Sequence, residues 1–157
     1  MRRNSPSHDL DTFDRKILNE LQRDNRQSLT VLGDRVGLSE PSVRRRIKAL
    51  RTSGVIMRDV SLVDPGTLAL TVIVSVRLDK ESRGTYDRLK ALIDDTPEIV
   101  QAYTVTGDED FILIGHFQSM TDYDDWINEA ILTEPSIART TTNVVYRRVK
   151  YETAVSV

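Results

Sequence analysis

SEPSVRRRIKAL, the stretch from Ser39 to Leu50, has the pattern of one short basic helix. Ser39 can cap the helix, and Pro41 suits its first turn, where a missing N–H costs nothing. The apolar stripe consists of Val43, Ile47 and Leu50. These residues predict an amphipathic helix that continues to about Gly54.

Two further amphipathic segments precede this helix. Residues 11–24 carry apolar side chains at helical spacing, and a second, two-turn helix follows Ser28 and ends at Gly37. None of the three segments can bury its stripe alone, but together they can. The second and third segments, joined by a tight turn that contains Gly37, therefore predict a helix-turn-helix.

The charge of the chain is divided unevenly between its halves. The whole has 22 Lys+Arg and 24 Asp+Glu, for a net charge of −2. Residues 1–66 have 13 basic and 9 acidic side chains, whereas residues 67–157 have 9 and 15. Between Ser39 and Arg58, six basic side chains stand against Glu40 alone. A local basic surface on an acidic chain indicates that one half binds a polyanion.

The segment from Val55 to Val63 is rich in β-branched residues and has Arg58 near its middle, which predicts a small hairpin wing with Arg58 at its tip. The sequence DPGT at Asp64–Thr67 is a strong turn signal at the point where the charge changes sign. We therefore expect two domains, residues 1–64 and residues 65–157.

The second half alternates strand and helix patterns in the order βαββαβ. This order predicts a ferredoxin-like fold of the α+β class, with two helices on one face of a four-stranded antiparallel sheet. The other face needs cover, most simply from a second copy of the chain.

Three stretches resemble the leucine-responsive/asparagine regulator (Lrp/AsnC) family of prokaryotic transcription factors: LDTFDRKILNELQRDNR, LGDRVGLSEPSVRRRIKALRTSGVI and VTGDEDFIL. The resemblance implies a winged helix-turn-helix, a ferredoxin-like domain that dimerises through its sheet, and assembly of dimers into rings or discs. It also implies an amino acid or related effector bound between dimers. The sequence departs from the family at Arg51, where an acid is common, and at Glu109, where an aromatic residue is common.

The basic helix supplies the candidate DNA contacts. Side chains off the apolar stripe can reach base edges or phosphates if the amino-terminal end of the helix enters the major groove. Arg46 has two open roles, a phosphate contact or a brace to the first helix through an acid such as Asp14, and Arg58 is equally well an ordinary turn residue. The predicted DNA-binding set is Ser39, Pro41, Ser42, Arg44, Arg45, Arg46, Lys48 and Arg58.

The GDED stretch at Gly107–Asp110 is the candidate effector site. It is also explained as an acidic turn, whereas no nucleophile or phosphate-binding loop accompanies it as an enzyme would require. An acid there can receive the ammonium group of an amino acid. We expect Asp108 to do so and Asp110 to fix the loop, although these roles can be exchanged. The predicted effector set is Tyr103, Thr106, Gly107, Asp108, Glu109, Asp110, Thr140 and Thr142, of which Tyr103 and the three threonines are equally well explained as strand residues.

These observations predict a cytoplasmic, sequence-specific transcriptional regulator whose activity and assembly respond to an amino acid. Its expected partners are double-stranded DNA, the effector and further copies of itself, without a membrane, a catalytic site, a metal or a cofactor. The alternatives are an effector-independent architectural DNA-binding protein and a small-molecule-binding enzyme. The chain has no cysteine for disulfides or thiolate zinc sites.

Overall fold

The computed structural model describes residues 9–67, 69–79 and 82–157. The chain forms two compact units. One comprises the residues up to Leu62 together with Tyr151–Val157, and the other comprises Val63–Lys150. Among the described residues, no helix has the length and apolar character needed to span a bilayer.

The first unit contains three helices, α1 (Thr12–Arg23), α2 (Leu29–Val36) and α3 (Glu40–Thr52). The Asp11 carboxylate caps α1 by accepting the N–H groups of Phe13 and Asp14. The helices bury one shared apolar core. Its buried members are Ile17, Leu18, Leu32, Val36, Val43, Ile47 and Leu50. The three predicted helices and their helix-turn-helix are confirmed.

The turn between α2 and α3 depends on two glycines. Gly37 ends α2 in the left-handed conformation at φ 76°. The Gly33 carbonyl accepts the N–H groups of Gly37 and Leu38. A Cβ at position 33 would lie 2.5 Å from the Leu38 carbonyl oxygen, which is too close for any larger residue without a shift of backbone. This close approach is what sets α3 tightly after α2.

The predicted wing is wrong. Residues 55–63 contain no strand, and Arg58 lies in an exposed segment without helix or strand rather than at a hairpin tip. A two-residue hairpin turn needs positive φ angles, and among the described residues only Gly37, Gly54 and Gly107 have them. An ion pair of 2.8 Å between Arg51 and Asp59 ties the segment to α3 instead.

Tyr151–Val157 packs with the first unit, whereas the predicted second domain ran from residue 65 to residue 157. The Gln22 side-chain amide on α1 donates to the Val155 carbonyl at 3.0 Å and accepts the Val155 N–H at 2.7 Å. Val157 packs against the helical core. Side-chain hydrogen bonding of this kind has no periodic signature, so the sequence pattern could not reveal it.

The second unit has the predicted order: β1 (Leu70–Leu78), α4 (Arg83–Asp94), β2 (Ile99–Thr104), β3 (Phe111–Phe117), α5 (Met120–Trp126) and β4 (Ile137–Val144). A π-helical turn at Ile127–Ile131 continues α5, and a short 3-10 turn at Pro65–Thr67 precedes β1. The sheet order is β2-β3-β1-β4, antiparallel throughout. The predicted ferredoxin-like arrangement is confirmed.

The two faces of the sheet differ in their cover. Alternate residues of β1 and β3, among them Val74 and Leu113, are fully buried in one core with residues of α4 and α5. The opposite face carries half-buried apolar residues at Ile73, Ile112 and Ile114. Within this unit, both helices therefore pack on a single face of the sheet.

Candidate DNA interface and effector site

The third helix turns its basic side chains outward because its apolar stripe is fixed in the core. Val43, Ile47 and Leu50 are buried. Arg44, Arg45 and Lys48 are exposed, as is Pro41 in the first turn. Ser39 stands at the cap position without a side-chain bond to the helix, and its hydroxyl instead lies 3.0 Å from that of Ser42. The amino-terminal end of α3 thus presents hydroxyl groups beside guanidinium and ammonium groups.

The exposed cations of α3 are not equivalent. Arg44 pairs with Glu40 one turn earlier at 2.5 Å, and Thr30 donates to the same carboxylate at 3.1 Å. These bonds, that from Arg44 foremost, hold the pKa of Glu40 below its ordinary value. Within the part of the chain that the structure describes, Arg45, Lys48 and Arg58 have no ion pair. Arg45 and Lys48 can therefore meet phosphates without giving up a partner, whereas Arg44 must exchange one.

Arg46 faces the first helix. Its Nη1 atom lies 2.7 Å from an Asp11 oxygen and 2.9 Å from an Asp14 oxygen, and its guanidinium stacks over the Phe13 ring at 5.5 Å. Hydrogen bonds to the two aspartates, Asp14 first, raise the pKa of Arg46. Asp14 is buried, and only 24% of the Arg46 side chain is exposed. Two roles were left open for Arg46, a phosphate contact and a brace to the first helix. In the structure it makes the contacts of the brace between α3 and α1.

The loop from Thr106 to Asp110 joins β2 to β3, and Asp110 holds it in place. The Asp110 carboxylate accepts the Leu78 N–H at 2.7 Å, and its own N–H donates to the Val76 carbonyl at 2.9 Å. Gly107 adopts φ 130°, a conformation that other residues rarely reach. Thr106 and Asp108 are exposed. The geometry thus separates a fixing acid, Asp110, from an outward acid, Asp108.

Glu109 is the third acid of the loop, and only one of its two carboxylate oxygens has a hydrogen-bond partner among the described residues. Its Oε1 atom accepts from Arg139 of β4 at 2.7 Å. Its Oε2 atom is buried and has no hydrogen-bond partner within the described chain. A buried carboxylate oxygen without a donor is costly, so this atom is suited to receive one from a ligand.

The other predicted effector residues are not gathered around this loop. Tyr103 lies on the open sheet face opposite Ile112, and its hydroxyl donates to Gln101 at 2.9 Å. Thr140 and Thr142 lie on β4 at the opposite edge and on the helix-covered face. The Thr142 hydroxyl contacts that of Tyr123, and Thr140 Oγ1 is buried without a partner among the described residues. A single chain therefore does not bring Tyr103 and these threonines into one pocket.

Sequence reasoning missed an open cavity of about 510 Å³ in the same unit. Its lining consists of Pro97, Glu98, His116, Phe117, Gln118 and Asp122. His116 Nδ1 lies 3.1 Å from the Thr71 hydroxyl, and burial lowers the pKa of this histidine. Nothing in the strand pattern around His116 signals the cavity.

In the described ranges, no cluster of three His, Asp or Glu side chains could hold a metal ion.

Two family models match the chain. Residues 10–51 match the AsnC-type helix-turn-helix domain, and residues 71–155 match the Lrp/AsnC ligand binding domain. These ranges contain the basic helix and the Gly107–Asp110 loop respectively.

Relatives that match over most of their length agree with the two family models. The uncharacterized HTH-type transcriptional regulator y4tD of Sinorhizobium fredii is 40% identical and covers 95% of this chain and 89% of its own. The leucine-responsive regulatory protein of Salmonella typhimurium is 35% identical over 92% of this chain and 90% of its own. Both relatives are named as regulators and not as enzymes, in agreement with the sequence analysis.

Solved structures give the same result. An AsnC family transcriptional regulator from Agrobacterium tumefaciens is 32% identical with a TM-score of 0.84, over 93% of this chain and 96% of its own. The regulator NMB0573 of Neisseria meningitidis, solved as a complex with L-Met, is 25% identical with a TM-score of 0.85 and the same coverage. The chain therefore belongs to the Lrp/AsnC family of transcriptional regulators, with an AsnC-type helix-turn-helix and an Lrp/AsnC ligand binding domain.

Proposed function

We propose that the chain is a cytoplasmic regulator that binds specific sites on duplex DNA through α3 and alters that binding in response to an amino acid. The observation that carries the DNA-binding part is the outward basic face of α3, with Arg45 and Lys48 free of ion pairs among the described residues. Exposed cations on such a helix can neutralise phosphates and read guanine edges.

The proposal includes a dimer of this chain that forms through the sheet. Its helices cover one face, and the other face presents Ile73, Ile112 and Ile114. A second copy that covers this face would bury those side chains and would pair two recognition helices at a fixed separation. Larger assemblies of such dimers are part of the proposal.

The amino-acid effector is proposed to bind at the loop that contains Gly107–Asp110. Asp108 is exposed and suited to an ammonium group, and the buried Glu109 Oε2 lacks a donor among the described residues. The Neisseria regulator solved with L-Met supports an amino acid as the ligand class. Tyr103, Thr140 and Thr142 lie on opposite faces and edges of the sheet, so one chain cannot bring them to the same effector molecule. In the proposal, these residues either contact an effector bound mainly by another subunit or have other roles.

The test is a thermal-shift screen of the full chain against the common amino acids, followed by DNA-binding measurements with each hit. A ligand at 100 times its dissociation constant should stabilise the fold by about 2.7 kcal/mol. Asp108→Ala should abolish this shift, while Asp125→Ala, which removes an exposed acid of α5, should retain it. DNA binding that no amino acid changes would instead identify an architectural DNA-binding protein.

A further inference from the structure

Glu40 is the only acid between Ser39 and Arg58, and it lies in the first turn of α3 among the exposed cations. Its side chain is 42% exposed, and that of Arg44, one turn later, is 67% exposed. The two side chains share one face of the helix because they are four residues apart. A phosphate that approached Arg44 would therefore also approach a carboxylate.

The Glu40 carboxylate is held at both of its oxygens. Its Oε1 atom accepts from Arg44 Nη2 at 2.5 Å, and its Oε2 atom accepts from the Thr30 hydroxyl at 3.1 Å. Thr30 lies in the first turn of α2, so its bond crosses the tight turn between the two helices. The carboxylate is thus held from α2 and α3 together, and it limits the positions that the Arg44 guanidinium can take.

Arg44 keeps enough donors to bind DNA while it stays paired. A guanidinium has five N–H groups, and the bond to Glu40 is made at one nitrogen, Nη2. The remaining groups suffice for the two bonds with which arginine reads O6 and N7 of guanine. These base atoms are neutral acceptors, whereas a phosphate is an anion that Glu40 repels. The pair therefore favours a base edge over a phosphate as the acceptor of Arg44.

The charges of α3 are divided in the same way. Bonds from Arg44 and then from Thr30 hold the pKa of Glu40 below its ordinary value, so the carboxylate is ionised at neutral pH. The pair of Glu40 and Arg44 is thus neutral overall and adds little attraction for a polyanion. Arg45 and Lys48, without an ion pair among the described residues, supply that attraction.

We propose that Glu40 is a positioning residue for sequence recognition, which holds Arg44 toward a guanine edge and keeps it from phosphates. The proposal rests on the proposed function, because it requires α3 to bind DNA. An exposed ion pair at this spacing adds only slightly to the stability of a helix. Loss of Glu40 should therefore change the selectivity of DNA binding and not the stability of the fold.

The test compares wild type with Glu40→Gln, Arg44→Ala and the control Asp87→Asn. Asp87 forms an exposed ion pair with Arg83, also four residues away, in the ligand-binding unit. Its neutralisation changes the net charge by the same amount as Glu40→Gln. The wild-type chain first selects duplexes from a random-sequence pool. The affinity of each full-length variant for the selected duplex and for the unselected pool is then measured at several salt concentrations.

Glu40→Gln should bind the unselected pool more tightly, with a slope of log K against log salt steeper by about 0.9, because Arg44 is then free to meet a phosphate. The ratio of its affinities for selected and unselected DNA should fall about tenfold, as it should in Arg44→Ala. In selections of their own, both variants should lose the base preference at the same position of the sequence. Asp87→Asn should keep the wild-type ratio.

An unchanged affinity ratio in Glu40→Gln or in Arg44→Ala would overturn the proposal. Loss of preference at different positions in these two variants would also overturn it, because Glu40 would then not act through Arg44. If wild type selects a sequence, the proposed function stands in either case. A wild-type chain that selected no sequence would contradict the proposed function, and the role of Glu40 would fail with it.

Discussion

Replacing Arg46 with alanine should weaken the fold of the helix-turn-helix unit, whereas the same change at its neighbour Arg45 should weaken DNA binding alone. Arg46 lies within 2.9 Å of two carboxylates, one of them on the buried Asp14, while Arg45 is exposed without an ion pair among the described residues. We therefore expect these adjacent arginines of one helix to have separate roles, and each variant is the control for the other.

The size of the effect follows from the burial of the pair. Loss of one partner from a fully buried ion pair costs about 3–5 kcal/mol, and an exposed pair is worth about 0–1 kcal/mol. Asp14 is buried, but Arg46 keeps 24% of its side chain exposed. We therefore expect Arg46→Ala to lower the free energy of unfolding by about 2 kcal/mol. Arg45→Ala should change it by less than about 0.5 kcal/mol.

Hydrogen exchange of the core amides of Ile17 and Ile47 measures this stability within the helix-turn-helix unit. A loss of about 2 kcal/mol corresponds to roughly 30-fold faster exchange through unfolding. Trp126 lies in the other unit and cannot report it by fluorescence. Equal exchange in wild type and Arg46→Ala would refute the brace, and equal losses in the two variants would refute the division of roles.

The brace should also depend on pH. The Asp14 N–H, and next Arg46, hold the pKa of Asp11 below its ordinary 3.8. An acid with a lowered pKa in the fold stabilises it above that ordinary value and loses this contribution as the pH falls through the folded-state pKa. The stability difference between wild type and Arg46→Ala should stay constant from pH 7 to about pH 5 and shrink below pH 3.8.

Three further predictions concern the ligand-binding unit. Ile114→Arg places a charge on the open sheet face, and sedimentation should show a smaller assembly, whereas an unchanged mass would argue against dimerisation through this face. Asp110→Ala removes the acceptor of the Leu78 N–H and should cost about 1–2 kcal/mol in urea unfolding; no loss would contradict its loop-fixing role. Burial lowers the pKa of His116, so its contribution to stability should fall as the pH drops below 6.5, and His116→Gln should remove this dependence; an identical pH profile in the variant would refute it.

Local pattern was sufficient to predict the helices and the order of the strands. Val43, Ile47 and Leu50 repeat at helical spacing, and that spacing alone directs Arg45 and Lys48 outward. The strands follow from alternating or continuous apolar runs, as in Phe111–Phe117. The prediction of a wing was wrong because β-branched residues favour an extended backbone without specifying a partner strand. Residues 55–63 form no strand and pair with none.

The arrangement of side chains around the effector loop could not be predicted, because it depends on strand register. The spacing of Thr140 and Thr142 places them on one face, but only their pairing with Val76 and Val74 shows that this face is covered by the helices. Tyr103 takes the opposite face for the same reason. The contact of Gln22 with Val155 was also beyond prediction, since the two residues are 133 positions apart and join through a side-chain amide.

The salt dependence of DNA binding tests the central claim most directly. Affinity for a duplex is measured over a range of salt concentrations for wild type and for the variant with Arg45→Ala and Lys48→Ala. Each lost phosphate contact should reduce the slope of log K against log salt by about 0.9, so the variant should have a slope smaller by about 2 with its fold intact. An unchanged slope, or a wild-type chain that fails to bind duplex DNA at low salt, would contradict the assignment of α3 as the DNA-binding surface.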